Sequence, residues 1–172
     1  RQRIAEKVLA LYNASYDPES EITVTSGGTE ALFAAISAVV QQGDEVIVLE
    51  PAFDSYVPVI QLNGGIPVYV AYKFPDYRID WDDVRNALSP KTRLIILNSP
   101  HNPTGAVFTE TDISALKNIL LDTDVLLLSD EVYEHIIFDG LRHESISRYP
   151  ELMERSFVVS SFGKTYHTTG WK

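Results

Sequence analysis

The stretch RLIILNSPHNPTGAVFTETDISALKNILLDTDVLLL, residues 93–128, decides the fold, because it has the pattern of a strand, a loop, a helix and a second strand. Its two ends, Arg93 to Leu97 and Val125 to Leu128, are short and apolar on both faces, as buried parallel strands are. A helix is predicted between them, from Thr109 to Leu121, and its first residues, Thr109-Glu110-Thr111-Asp112, resemble a capping box. Two strands joined by a helix predict a right-handed crossover within one parallel sheet.

The same alternation of strands and helices continues on both sides of this segment. Apolar spacing predicts an amphipathic opening helix, through Ile4, Val8, Leu11 and Tyr12. Further strands are predicted at Ile22 to Thr25, Glu45 to Leu49, Ile66 to Ala71 and Phe157 to Ser160. Further helices are predicted at Thr29 to Gln42, Ser55 to Leu62, Trp81 to Leu88 (with Asp80 as its N-cap) and around Val132. This order predicts an α/β fold with a three-layer, doubly wound, mostly parallel sheet, in which ligands bind at the carboxyl ends of the strands.

Composition limits the class of protein. The chain has 172 residues, 45% of them hydrophobic, which suits one domain with a sizeable core. Its formal net charge is -10 and its basic residues are scattered, so we expect binding neither to nucleic acid nor to a membrane. The lack of cysteine excludes thiolate nucleophiles, and the 4 histidines lack the spacing of metal ligands. The longest apolar run, residues 31–40, is too short to span a bilayer and no signal peptide pattern is found, so the cytoplasm is the expected location.

A glycine-rich turn, Ser26-Gly27-Gly28-Thr29, follows the first predicted strand and opens a helix. Glycines let the backbone approach a ligand, and the helix start directs free amides and a positive dipole end at it, so the turn predicts a phosphate site. It matches neither the dinucleotide fingerprint nor the nucleoside triphosphate loop. The alternative is a tight turn in which Thr29 only begins the helix.

Two loops at predicted strand ends carry candidates for contact with a flat ring. Phe53 can lay its face against a heteroaromatic ring, although an aromatic residue there can equally belong to the core. Asn102 precedes Pro103, which favours an extended backbone and presents its amide at a fixed angle for donation to an oxygen. An Asx-type turn is the alternative for Asn102, and we expect His101 to be structural or peripheral.

An acidic pair, Asp130-Glu131, ends the strand predicted at Val125 to Leu128. A carboxylate that emerges from a buried strand is costly unless it is paired, and a protonated pyridine nitrogen would be such a partner for Asp130. Tyr133 follows at about one helical turn and is within reach of the hydroxyl of the same ring. The alternatives are that Asp130 caps the next helix, or that the pair binds a metal, for which nearby partners are lacking.

A lysine follows the last predicted strand, in Ser161-Phe162-Gly163-Lys164. An amine in a cleft can form a Schiff base with an aldehyde and later act as a base. The alternative is that Lys164 is only a solvated charge at the surface. Ser161 and Lys172 are within reach of the phosphate site. An amine, a carboxylate, oxygen donors and a phosphate cradle together predict a site for pyridoxal 5'-phosphate.

These residues resemble, over essentially the whole chain, the fold type I pyridoxal phosphate enzymes and specifically the class I/II aminotransferases. The motifs that carry the resemblance follow the order of the family: Ser26-Gly27-Gly28-Thr29, Pro51-x-Phe53, Asn102-Pro103-Thr104-Gly105, Asp130-x-x-Tyr133 and Ser161-x-x-Lys164. The resemblance implies a phosphate site made by Gly27, Gly28, Thr29, Ser161 and Lys172. It implies ring contacts by the remaining residues, with Phe53 stacked on the ring, Asn102 and Tyr133 on its oxygen and Asp130 on its nitrogen. Lys164 is implied to carry the cofactor, with Asp130 and Tyr133 as further catalytic residues.

The implied activity is transfer of an amino group between an amino acid and a 2-oxo acid through a Schiff base on Lys164, with ping-pong kinetics. The end of the chain, Gly170-Trp171-Lys172, is similar to the branch that contains methionine and kynurenine aminotransferases. The alternatives are a pyridoxal phosphate-dependent carbon–sulfur lyase and a regulator that binds the cofactor without turnover. The resemblance also implies a homodimer and small-molecule substrates, without a metal.

The chain opens on Arg1 and stops at Lys172, and we interpret it as a fragment of the family's large domain. The resemblance implies that a small domain and a final strand of the sheet lie outside it. The predicted strand from Ile22 to Thr25 therefore lacks one neighbour. We expect residues 1–172 alone to be marginally stable and inactive.

Overall fold

A five-stranded parallel sheet forms the centre of the structure, a computed structural model that describes residues 1–170. The strands are β1 (Glu45–Glu50), β2 (Ile66–Ala71), β3 (Thr92–Asn98), β4 (Leu126–Asp130) and β5 (Ser156–Val159). The helices are α1 (Gln2–Tyr12), α2 (Gly28–Val39), α3 (Tyr56–Leu62), α4 (Trp81–Ala87), α5 (Glu110–Leu120), α6 (Pro150–Met153) and α7 (Phe162–Thr165). Short 3₁₀ turns lie at Ile146–Arg148 and Thr168–Gly170.

The strand order is β2-β1-β3-β4-β5, so the chain runs outward from β1 to β2 and then returns past β1 to β3. The direction of winding therefore changes between β1 and β3. In open parallel sheets a ligand binds outside the carboxyl ends of the strands, at such a change of direction. This topology directs attention to the loops that follow β1 and β3.

Apolar side chains cover both faces of the sheet. On one face Ile36 of α2 and Ile60 of α3 are fully buried against β1 and β3. On the other face Ile113 and Leu116 of α5 pack with Val84 of α4. The predicted three-layer, doubly wound α/β class is therefore confirmed.

The predicted helix starts are also confirmed. The side chain of Asp80 accepts a hydrogen bond from the backbone N–H of Asp82 at the start of α4. Thr109 and Asp112 form a reciprocal capping box at the start of α5. In each case a polar side chain satisfies an amide that has no partner within the helix.

The strand predicted at Ile22 to Thr25 is wrong, since this segment forms no ladder. Ile22 is buried, but the side chain of Val24 is 57% exposed. Within residues 1–170, β5 pairs with β4 alone, and residues 22–25 form no ladder with its other edge. A strand needs a backbone partner to satisfy its amides and carbonyls.

The helix predicted around Val132 is also wrong. Residues 132–135 form successive tight turns, in which the amides of Glu134 and Ile136 bond the carbonyls of Glu131 and Tyr133. The carboxylate of Glu131 accepts from the N–H of Ile146 and that of Glu134 from Lys7, and these bonds hold the turns in place.

Among the helices of residues 1–170, none combines the length and the apolar character needed to cross a membrane.

Candidate functional site

The predicted ring-binding and lysine residues lie at one edge of the sheet, because each follows the carboxyl end of a parallel strand. Phe53 follows β1 and Asn102 follows β3. Asp130 is the last residue of β4, and Lys164 lies in α7 just after β5. Phe53 and Asn102 thus lie in the loops that the topology indicated, and Asp130 and Lys164 lie at the same edge of the sheet.

Asp130 is a buried carboxylate with an exposure of 3%. Its Oδ2 accepts a hydrogen bond from the hydroxyl of Tyr56 at 2.5 Å, and its Oδ1 accepts a longer one, 3.3 Å, from the N–H of Val132. Burial raises the pKa of Asp130 above its usual range, and the bond from Tyr56 acts in the opposite direction. None of the ion pairs within residues 1–170 involves Asp130. A buried carboxylate of this kind is suited to a cationic ligand.

Sequence reasoning missed Tyr56. This residue begins α3, has an exposure of 2%, and meets the ring of Phe53 edge-on at 5.6 Å between centroids. Its hydroxyl therefore joins the loop after β1 to the end of β4. The spacing Phe53-x-x-Tyr56 at the start of a helix was the available signal, since residues three apart share a helix face.

The backbone of Asn102 is held to β4, the strand that ends in Asp130, by Asn98, a second residue that sequence reasoning missed. The side-chain amide of Asn98 donates to the carbonyl oxygen of Asp130 at 2.9 Å. Its Oδ1 accepts from the backbone N–H of Asn102 at 2.8 Å. The backbone of Asn102 is thus fixed relative to Asp130, while its own side chain is half-buried.

His101 has the structural role that was expected. Its ring lies on the ring of Tyr72 at 4.3 Å, and Nδ1 is 2.7 Å from the hydroxyl oxygen of Thr104. Burial lowers the pKa of His101 to about 4, so the ring is neutral at physiological pH.

Lys164 and Tyr133 come close together although different strands lead to them. Lys164 is exposed, and its Nζ lies 5.3 Å from the centroid of the Tyr133 ring. Tyr133 is half-buried in the turns after β4. The amine of Lys164 and the phenol ring of Tyr133 therefore lie near each other at this edge of the sheet.

The glycine turn forms the start of α2. Gly27 has a φ of +97°, which favours glycine, and α2 has no side-chain cap at this end. A β-carbon on Gly28 would lie 3.4 Å from Val132 Cγ1 and 3.9 Å from Val159 Cγ1, so this helix start is next to the ends of β4 and β5. Thr29 is exposed. Free amides at a helix start favour an anion.

Ser161 occupies the N-cap position of α7 without making a side-chain cap. It is half-buried and follows Val159, the residue that contacts the position of Gly28, by two places. Ser161 therefore lies just beyond the strand end that contacts the start of α2. Lys172, the last of the predicted residues, lies outside the described residues.

The chain belongs to the family described as aminotransferase class I and II, which matches residues 1–172. It is 50% identical over 172 residues to the methionine aminotransferase of Escherichia coli (strain K12), covering all of this chain and 45% of that protein. It is 36% identical over 173 residues to kynurenine–oxoglutarate transaminase 1 of Rattus norvegicus, covering 94% of this chain and 41% of that protein. A crystal structure from Escherichia coli with a reported methionine aminotransferase function superposes with a TM-score of 0.95 at 50% identity, over 98% of this chain and 45% of that one.

These comparisons confirm the predicted resemblance to class I/II aminotransferases and the fold that it implied. They also establish a fact about length. The chain spans less than half of the relatives that it matches, 45% of the bacterial protein and 41% of the rat protein.

Proposed function

We propose that this chain is the cofactor-binding part of an aminotransferase that uses pyridoxal 5'-phosphate to move an amino group between an amino acid and a 2-oxo acid. The observation that carries the proposal is the buried carboxylate of Asp130, which has no cationic partner in the described part of the chain and ends at the same edge as Lys164. Family membership and the names of the relatives support it.

The residues at this edge fit the ring of that cofactor. Asp130 would pair with the ring nitrogen, because a cation there relieves the cost of burying the carboxylate. Tyr56 already bonds Oδ2 of Asp130, which leaves capacity on Oδ1. Phe53 would lie against the face of the ring, and Asn102 and Tyr133 would donate hydrogen bonds to its oxygen.

The helix start fits the phosphate group. The first turn of α2, at Gly27, Gly28 and Thr29, has no side-chain cap, so its amides are available to an anion. The hydroxyl of Ser161 would add a further donor from the end of β5. Lys172 would contribute a positive charge to the same group.

When bound, the cofactor supplies an electron sink that acidifies the Cα–H bond of an amino acid attached to it. Asp130 would maintain this property by keeping the ring nitrogen protonated. Lys164 would hold the cofactor through its Nζ, and the same amine would be the base that accepts the proton from Cα. One substrate leaves before the next is bound, so ping-pong kinetics follow.

We propose further that the full-length protein is a cytoplasmic homodimer, in which the remaining sequence supplies a small domain and the last strand of the sheet. The length of the relatives supports this division, since the chain covers only 45% of the bacterial one. Their names make methionine and kynurenine the first amino acids to test.

The first experiment is an absorption spectrum of the full-length protein with pyridoxal phosphate, before and after borohydride. We expect a visible band that borohydride converts into a permanent adduct in the wild type, and no such adduct in Lys164→Ala. Lys91→Ala is a matched control, because Lys91 is an exposed lysine just before β3, at the opposite edge of the sheet. A wild type without the band, or a permanent adduct in Lys164→Ala, would contradict the proposal.

A second measurement identifies the reaction. An aminotransferase forms product only when a 2-oxo acid acceptor is supplied. Release of pyruvate and ammonia without an acceptor would instead indicate a carbon–sulfur lyase. A stable band without turnover of any amino acid would indicate a regulator that binds the cofactor.

A further inference from the structure

Two buried carboxylates flank the turn that carries Tyr133. Glu131 has an exposure of 2%, and the side chain of Glu134 has an exposure of 3%. Burying a carboxylate is costly unless it is paired and hydrogen-bonded, so the partners of these two side chains constrain the backbone between them.

Glu131 is held by three donors or partners from its own half of the chain. Its Oε1 accepts from the hydroxyl of Ser129 at 2.9 Å and from the N–H of Ile146 at 3.0 Å. Its Oε2 is 2.7 Å from Nε2 of His143, which is itself buried. These contacts fix the amino end of the turn.

Glu134, which directly follows Tyr133, is held from the opposite end of the sequence. Its Oε1 accepts from Nζ of Lys7 at 2.6 Å, and its Oε2 accepts from the hydroxyl of Tyr12. Both donors are on α1, and they are 127 and 122 residues away along the chain. We call Lys7, Tyr12 and Glu134 the α1 anchor.

The two ends of the turn are connected through Tyr12. The ring of Tyr12 meets the ring of His143 edge-on at 5.9 Å, and the guanidinium of Arg148 lies 5.1 Å from the centroid of the Tyr12 ring. Burial and the negative charge of Glu134 raise the pKa of Tyr12, which keeps its hydroxyl protonated and able to donate. The first helix of the chain is therefore fixed to the segment that leads from Asp130 to Tyr133.

We propose that the α1 anchor positions the hydroxyl of Tyr133 toward the ring oxygen of the cofactor, so that Lys7, Tyr12 and Glu134 are positioning residues for the reaction. The inference rests on the proposed function. Glu134 shares a peptide bond with Tyr133, so loss of one of its donors lets the turn relax and moves the phenol. None of the three residues needs to touch the cofactor.

The experiment uses the full-length protein with pyridoxal phosphate and measures the pH midpoint at which the visible band changes. A hydrogen bond to the ring oxygen favours its ionised form, so a displaced Tyr133 raises the midpoint. We expect Tyr12→Phe to raise the midpoint by about half a pH unit or more. This is the size of shift that corresponds to partial loss of one hydrogen bond. Lys7→Gln, at the more exposed end of the anchor, should shift it in the same direction.

Tyr149→Phe is the matched control. Its hydroxyl also donates to a buried glutamate, Glu144, at 2.7 Å, but none of the hydrogen bonds given for Tyr149 within residues 1–170 reaches residues 131–136. We expect its midpoint to equal that of the wild type. Tyr12→Phe and Tyr149→Phe each remove a hydrogen bond to a buried glutamate, so both can lower stability. A different midpoint in Tyr12→Phe alone therefore indicates a positioning role.

A double substitution completes the test. When Tyr133→Phe has removed the phenol, adding Tyr12→Phe should shift the midpoint no further. A band with the wild-type midpoint in both Tyr12→Phe and Lys7→Gln, or full additivity in the double variant, would overturn the α1 anchor and leave the proposed function intact. A wild type without any visible band would overturn both.

Discussion

The hydroxyl of Tyr56 donates to Oδ2 of Asp130 at 2.5 Å, and both residues are buried, with exposures of 2% and 3%. Two opposed effects therefore meet on one carboxyl group. Burial raises the pKa of Asp130, and the donor lowers it. Tyr56 thus favours the ionised carboxylate, which is the form that the proposed pairing with a ring nitrogen requires.

Tyr56→Phe tests this relationship in the full-length protein. Without the donor the pKa of Asp130 rises further, its negative charge is less available, and we expect kcat to fall by about tenfold, as for the loss of one hydrogen bond to a charged group. KM should change little, because no substrate contact is removed. Steady-state kinetics with a saturating 2-oxo acid provide the measurement.

Tyr72→Phe is the control for Tyr56→Phe. Tyr72 is also buried, but its hydroxyl has no hydrogen-bond partner among the described residues, so the substitution removes no bond. We expect the kcat of this variant to equal that of the wild type. Equal kcat values for both variants would show that the Tyr56–Asp130 bond has no influence on the reaction.

Asp130→Asn should separate stability from function. The folded pKa of Asp130 is raised, so its stabilising contribution is present below the unfolded value of about 4 and is lost as the pH rises through the folded value. At neutral pH the ionised carboxylate is buried without a cation, and the neutral amide avoids this cost. We expect the cofactor-free variant to be more stable than the wild type at pH 7, by about 1 kcal/mol.

Urea unfolding of the cofactor-free, full-length protein at several pH values checks this prediction. The difference between Asp130→Asn and the wild type should shrink as the pH falls toward 4, since both side chains are then neutral. With the cofactor present the order should reverse, because the proposed ion pair with the ring would be available to the wild type alone. A variant that is less stable than the wild type at every pH would contradict the account.

The sequence predicted those features that depend on local pattern. Every strand that entered the sheet was predicted near its observed bounds, and both the Asp80 cap and the Thr109 capping box rest on residues three or fewer apart. Asp130 was identifiable because a carboxylate at the end of an apolar strand is unusual. These signals lie within a few residues of the feature that they predict.

What the sequence did not predict depends on pairs that are distant along the chain. Tyr56 bonds a residue 74 positions away, and Lys7 bonds one 127 positions away. No periodicity reports such contacts. The strand predicted at Ile22 to Thr25 failed for the same reason, because strand formation requires a neighbour as well as β-branched residues.

Thr109→Ala should affect stability alone. The capping box of Thr109 and Asp112 satisfies amides at the start of α5, on the face of the sheet opposite α2. Loss of an N-cap side chain costs about 1 kcal/mol. We expect a lower Tm for the full-length protein and an unchanged kcat/KM; a kcat/KM that falls while the Tm is kept would place α5 in the functional site instead.

The two glycines before α2 should respond differently to alanine. Gly27 has a φ of +97° and a ψ of 165°, a conformation essentially restricted to glycine, although no atom would contact an added β-carbon. Backbone strain alone should therefore make Gly27→Ala less stable by about 1–3 kcal/mol. At Gly28 the backbone is helical and a β-carbon would make an ordinary contact, 3.4 Å from Val132 Cγ1, so Gly28→Ala should keep its stability or gain a few tenths of a kcal/mol.

Gly28→Ala should weaken cofactor binding although it keeps the stability of the protein. The added methyl group of Gly28→Ala occupies space beside the amides that are proposed to hold the phosphate, and we expect the Kd for pyridoxal phosphate to rise about tenfold, the effect of one or two weakened hydrogen bonds. Thermal unfolding of the cofactor-free protein and a fluorescence titration with the cofactor measure the two quantities separately. A Gly28→Ala variant that is stable and binds the cofactor as the wild type does would mean that the backbone at this position does not approach the ligand, and the phosphate would then have to be held elsewhere along the edge.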